Sequence, residues 1–271
     1  MGFLDEQIRR NERREAWRKA RTGIAVILVT GIILVTLAYL FSYKEDTSVS
    51  VIHVEGELYT GDFFGDGATG SEYAGRLIRE AADNPLVEAI VLRVDSPGGT
   101  PAAAQEIITD MEYAKTKKPV VISMGDMATS AAYAISAHGD RIYANPDTLT
   151  AGIGTIWTFT DISRWLENEG VNVTVVKSGP RKDMASPYRP ITGAEVSYAQ
   201  DIVDASSERL ITDIAASRNI SRTLFDDGRI LRGEDAIRYG LVDELGNLHT
   251  AIEGAKSLAA QSRSSAGDLL S

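Results

Sequence analysis

Two stretches of this chain combine glycine or small residues with the end of an apolar run, and chemistry is best placed there. Met124-Gly125-Asp126-Met127-Ala128-Thr129-Ser130-Ala131-Ala132-Tyr133 sets a serine just before a helix, among small side chains. A hydroxyl there can be a nucleophile, because a helix N-terminus stabilises developing negative charge and small neighbours let a substrate carbonyl approach. Serine and threonine are also common helix caps, so Thr129 and Ser130 have a purely structural alternative. In Asp95-Ser96-Pro97-Gly98-Gly99-Thr100, paired glycines let a ligand approach the backbone and turn amides toward a cleft. An ordinary strand-to-helix turn fits that stretch equally well. The glycine and lysine spacings of a Walker loop or a dinucleotide fingerprint are missing from it.

A serine nucleophile needs a base. His53, His138 and His249 fall on a strand, at a helix end and in the C-terminal region, none with an evident aspartate partner. Lys182, in the loop Ser178-Gly179-Pro180-Arg181-Lys182-Asp183, is better placed. A lysine serves as general base where burial lowers its pKa toward neutrality. Most loop lysines are simply solvated, and spacing alone leaves that reading open.

Composition narrows the field. The 271 residues include no cysteine, which excludes disulfides, thiolate nucleophiles and cysteine-ligated metals. Three histidines leave little room for a multi-histidine metal site. A net charge of −10 argues against a broad nucleic-acid footprint.

The elements that must position these residues alternate. Val49–Val54 alternates as a strand, 71–83 has a helical pattern, and Val87–Val94 is an apolar strand buried on both faces. A helix over Pro101–Tyr113, a strand over Val120–Met124, a helix near 130–138 and a strand over Arg141–Ala144 follow. Val171–Val176 is a further expected strand, and 193–217 and 247–260 are expected helices. Strands and helices alternating at this spacing predict βαβ units, hence an α/β fold with parallel strands.

Ahead of these elements, residues 1–21 hold seven basic and four acidic side chains, and the 22 residues from Thr22 to Tyr43 carry no charge. As a helix, the uncharged stretch spans roughly 33 Å, enough for a bilayer core. It ends Tyr39-Leu40-Phe41-Ser42-Tyr43, with aromatics at interface level and no small-x-small cleavage signal, which predicts an uncleaved transmembrane anchor. The basic flank predicts a cytoplasmic N-terminus and everything after residue 44 outside the cell membrane. The expected divisions are a basic segment 1–21, an anchor 22–43, a linker 44–48, an outer domain 49–256 and a flexible tail 257–271.

The stretches Asp95–Thr100, Met124–Tyr133, Ile142–Gly154 and Ser178–Pro190, followed by Gly228-Arg229-Ile230 and Tyr239-Gly240-Leu241-Val242-Asp243, resemble in order the motifs of bacterial and archaeal signal peptide peptidase A. The resemblance covers roughly residues 49–255. It implies a ClpP/crotonase-like superhelical fold, a Ser/Lys dyad, and an endopeptidase acting on remnant signal peptides and other apolar, extended segments. The family's nucleophile falls on Ser130 and its general base on Lys182. Its oxyanion amides fall on the Gly98-Gly99 turn and on Ala131. No metal or organic cofactor is implied. For a chain with one catalytic domain the resemblance implies a homo-oligomeric ring, with active sites at subunit interfaces. Two departures stand out: Ala131 and Ala132 replace the family's usual glycines, and Gly152 replaces a serine that helps orient the lysine. Thr150, Thr155 or a water could take over that role. The alternatives are a stomatin-cleaving membrane protease of the same superfamily, a crotonase-type acyl-CoA enzyme, and a catalytically inactive peptide-binding scaffold.

Overall fold

Alternating apolar residues from Val49 onward build a sheet that is covered on both faces. The computed structural model describes residues 49–268 continuously, together with residues 2, 14, 17, 19, 21–23 and 27–37. It divides into two compact units, Met1–Thr47 and Ser48–Ser271. In the first, residues 27–37 are helical with exposed side chains. Among the described residues no helix is long and apolar enough to cross a membrane. Residues 24–26 and 38–43 of the expected anchor, the linker 44–48 and most of segment 1–21 lie outside the described residues.

The second unit begins with β1 (Val49–Glu55), β2 (Glu57–Tyr59), β3 (Phe64–Gly65), β4 (Ala68–Gly70) and α1 (Ser71–Asp83). Then come β5 (Ala89–Ser96), α2 (Pro101–Lys115), β6 (Val120–Thr129), α3 (Ala131–Ala137), β7 (Arg141–Ala144) and β8 (Leu149–Ala151). The chain closes with α4 (Ser163–Asn168), α5 (Gly193–Arg218), β9 (Ile230–Arg232), α6 (Gly233–Ala236), β10 (Glu244–Leu245) and α7 (Leu248–Asp268). The main sheet runs β1-β5-β6-β7-β10 with every neighbour parallel, as the alternation of elements predicts. β8 pairs with the far end of β6, and β9 pairs antiparallel with β8. β2, β4 and β3 form a small separate sheet.

Successive side chains of a strand point to opposite faces, so β5 serves two cores. Ile90, Leu92 and Val94 join Ile122 and Met124 beneath α1, α2, α3 and α5, around Ile78, Ile107, Ala132 and Ile214. Ala89 and Val91 join Val121 and Tyr143 on the other face, against Ala251, Ala255 and Ala259 of α7. Those three alanines recur every fourth residue, which lets the helix lie close to the sheet.

Three expectations differ from the structure. Residues 171–176 are not a strand. Their alternating valines have no adjacent strand to bond, and Val171, Val173, Val175 and Val176 are exposed. The chain from 257 is not loose as far as 268: α7 continues through a run of helix-compatible Ala, Ser and Gln, although no described side chain beyond Ala259 is buried. β6 extends past Met124 to Thr129. Val94 pairs with Met124 but Ser96 with Ala128, so β6 takes four steps where β5 takes two. The bulge is held by Asp95 Oδ1, which accepts the Met127 N–H at 3.0 Å, and by Thr148 Oγ1, which donates to the Gly125 carbonyl at 2.7 Å.

Candidate active site

The two stretches singled out by composition meet at the ends of β5 and β6. Ser130 sits between β6 and α3 at φ 54, ψ −124, a conformation that side chains other than glycine rarely adopt. Such backbone strain, of order 1–3 kcal/mol, persists only where surrounding contacts over-determine it, and it recurs at sharp strand-to-helix turns that expose a serine. The fixing contact is the Ser130 N–H, which donates to Ala151 O at 2.8 Å, and Ala151 itself is held at φ 65. The capping alternative does not hold for either residue. The Ser130 side chain makes no cap bond, and the Thr129 hydroxyl donates instead to Pro97 O at 2.9 Å. Ser130 Oγ, half-buried, has no hydrogen-bond partner among the described residues.

The glycine turn lies directly over this serine. A Cβ on Gly98, whose φ is +106, would stand 2.9 Å from Ser130 Cβ and 3.1 Å from Ala131 N. A Cβ on Gly99 would stand 2.1 Å from Leu58 O, because that residue bridges β2. Two amides beside Ser130 have no partner among the described residues, those of Gly99 and of Ala131. The Gly98 N–H is already committed to Ser96 Oγ at 3.0 Å. Of the three expected oxyanion donors, then, Gly99 and Ala131 are open and Gly98 is not.

The structure does not join Lys182 to the serine by a hydrogen bond. Its side chain is exposed, and within the chain no hydrogen bond or ion pair joins it to Ser130 or to any other described residue. Its loop is nevertheless firmly tied. Arg189 forks between two nearly buried carboxylates, with Nη2 2.7 Å from Asp183 Oδ1 and 2.6 Å from Glu195 Oε1. Lys177 Nζ adds a 2.6 Å bond to Asp183. Glu195 also completes a capping box with Thr192 at the start of α5. Arg181 stacks over the Tyr198 ring of α5, 4.5 Å from its centroid. Sequence reasoning missed this network, although Thr192-Gly193-Ala194-Glu195 carries the capping-box spacing openly.

Hydrogen bonds from Arg189, then Lys177, hold the Asp183 carboxyl well below the usual carboxylate range. Those from Arg189, then the Thr192 amide, pull Glu195 down to about 2. Both folded values lie below the ordinary ones. The stabilisation is therefore complete above roughly pH 4 to 5 and is lost as pH falls through the folded values. Hydrogen-exchange protection of residues 177–190 should hold from neutral pH down to about pH 5 and fail at lower pH. Arg189→Gln should raise the onset of that failure, whereas an unchanged onset would mean that the clamp does not hold the loop.

Neither threonine offered as a substitute for the missing serine at Gly152 is free. Thr150 Oγ1 donates to Ala128 O at 2.9 Å and Thr155 Oγ1 to Ser206 Oγ at 3.1 Å. Gly152 lies beside the site: a Cβ there would be 3.4 Å from Thr129 Cβ. His138 is bound at the far end of α3, 3.0 Å from both Glu112 and Asp213. His53 pairs with Glu55, and His249 is exposed.

Comparison with known proteins identifies the family. The model of peptidase family S49 matches residues 112–262, more than half the chain. A Synechocystis sp. protein provisionally named protease slr0021 is 36% identical, over 71% of this chain and 70% of its own. Protease 4 of Haemophilus influenzae is 32% identical over 83% of this chain, which spans only 37% of that longer relative. An Enterococcus faecium protein provisionally named signal peptide peptidase SppA is 34% identical over 66% of this chain and 53% of its own. The chain belongs to peptidase family S49, as a serine protease of the signal peptide peptidase A kind.

Proposed function

We propose that the protein is a membrane-anchored endopeptidase that degrades remnant signal peptides and other apolar, extended segments, with Ser130 as nucleophile and Lys182 as general base. The observation that carries this reading is the strained turn at Ser130, its hydroxyl unbonded and two open amides, Gly99 and Ala131, beside it. The neutral amine of Lys182 takes the proton from Ser130 Oγ as the oxygen attacks a peptide carbonyl. The carbonyl oxygen becomes an oxyanion facing the open amides, the Lys182 ammonium returns the proton to the leaving amine as the C–N bond breaks, and the lysine, neutral again, activates the water that hydrolyses the acyl-enzyme. The parallel sheet covered on both faces is consistent with the ClpP/crotonase-like fold.

Two further parts of the proposal rest on sequence and surface. The uncharged stretch 22–43 behind a basic flank supports an anchor with the N-terminus in the cytoplasm and the catalytic domain outside. The exposed Lys182, together with the exposed valines of 171–176, supports an assembly in which a second copy covers this segment and brings its own serine to the lysine. A ring of that kind would enclose the sites and admit only extended peptides.

The test uses the full-length protein in detergent micelles. It should cleave an apolar signal-peptide remnant at a rate that EDTA leaves unchanged, and a fluorophosphonate should modify Ser130, located by peptide mass. Modification of a different residue, or cleavage abolished by EDTA, would overturn the assignment. A folded protein that neither cleaves nor labels would be the peptide-binding scaffold instead.

A further inference from the structure

The amides of the glycine turn can be followed one by one with their neighbouring carbonyls, and two side chains with no role in the chemistry described so far stand out. Asp95 O accepts from the Gly56 N–H at 3.0 Å, and Gly98 O accepts from the Leu58 N–H at 2.9 Å. The Thr100 N–H donates to Leu58 O at 2.8 Å. Pro97 has no N–H, and its carbonyl accepts the Thr129 hydroxyl at 2.9 Å. The Gly98 N–H donates to Ser96 Oγ at 3.0 Å. Of the amides of residues 98–100, only that of the exposed Gly99 has no partner among the described residues, so it is the one free to meet a ligand.

Thr129 does more than fill space. Its hydroxyl reaches the Pro97 carbonyl, while a Cβ at Gly152 would lie 3.4 Å from its Cβ and 3.7 Å from its methyl group. The side chain, 6% exposed, therefore spans from the glycine turn to the Ala151-Gly152 turn, whose Ala151 carbonyl holds the Ser130 amide. Three backbone segments meeting at Ser130 are joined through one threonine. Ser96, fully buried, completes the arrangement from the other side of the turn.

We propose that Thr129 and Ser96 are positioning residues for the oxyanion site: Thr129 fixes the Pro97 carbonyl, Ser96 occupies the Gly98 amide, and together they leave Gly99 N–H as the donor that the turn presents beside Ser130. The inference rests on the reading of Ser130 as nucleophile. It concerns a difference between ground state and transition state, since an oxyanion donor matters most when charge develops on the carbonyl oxygen.

The experiment compares wild type, Thr129→Val, Thr129→Ser and Ser96→Ala, as full-length proteins, on the same apolar peptide. Thr129→Val keeps the shape and loses the hydroxyl; it should lower kcat by roughly 10- to 100-fold with KM within about twofold, and weaken a peptide aldehyde inhibitor in proportion. Thr129→Ser should restore most of kcat, and Ser96→Ala should lower kcat with KM again nearly unchanged. A loss that falls on KM, an aldehyde affinity that does not follow kcat, or no rescue by serine would overturn the proposal. Should Thr129→Val fail to fold, Ser96→Ala decides alone, and wild-type kcat in that variant would overturn it. Failure of the underlying reading looks different: wild type would not label at Ser130.

Discussion

Ser130→Ala is expected to lower kcat/KM for peptide hydrolysis by roughly 10⁴-fold or more, Lys182→Ala by a similar factor, and the double variant by no more than either alone. A nucleophile and its base act as one unit, so removing the second after the first has nothing left to remove. Lys182→Arg should be as inactive as the alanine variant, because a guanidinium cannot give up its proton to become a base. None of these changes should unfold the domain. Among the described residues Ser130 Oγ makes no hydrogen bond and the exposed Lys182 side chain no ion pair, so no stabilising contact there is deleted. Substitutions of that type usually stay within about 0.5 kcal/mol. Replacing His53, His138 or His249 should leave most activity. His138 lies at the other end of α3, about 10 Å along its axis, occupied by Glu112 and Asp213. Steady-state kinetics on these variants, with thermal unfolding as the control for folding, checks the prediction. Additive single losses, or a folded histidine variant without activity, would replace the dyad with a different machinery.

What was legible in the sequence follows from how local each feature is. Strand β1 and helix α1 were readable because the face they bury is written in their own periodicity. The valines of 171–176 carry the same periodicity, but a strand also needs a neighbour with free backbone groups, and that depends on residues far away in the chain. Gly125 and Asp126 read as a loop because they are small or polar. They belong to β6 because the carboxylate of Asp95, about thirty residues earlier, takes up the amide that the bulge frees. The site divides in the same way. The small residues around Ser130 and the paired glycines announced themselves by type. The bonds from the Thr129 hydroxyl to the Pro97 carbonyl and from the Gly98 N–H to Ser96 Oγ did not, since serine and threonine are frequent everywhere and their partners depend on tertiary placement. The Arg189 fork to Asp183 and Glu195 is nearly local, and the capping-box spacing at Thr192 was its visible trace.

In the proposed assembly the dyad forms between two copies of the chain. A lysine works as a base near neutral pH only where its charged form is disfavoured, by desolvation or by neighbouring positive charge. Among the described residues no hydrogen bond or ion pair joins the exposed Lys182 side chain to Ser130, and in the proposed assembly a second copy supplies the covering surface. The exposed valines of 171–176 give a second copy apolar area to bury. The direct measurement is to mix Ser130→Ala with Lys182→Ala in equal amounts, confirm co-assembly by native mass, and assay peptide cleavage. With head-to-tail contacts, random mixing pairs an intact serine with a neighbour's intact lysine in about a quarter of the sites. About a quarter of wild-type activity should therefore return from two inactive proteins. Co-assembled mutants that stay inactive would place Ser130 and Lys182 of each working site in the same chain.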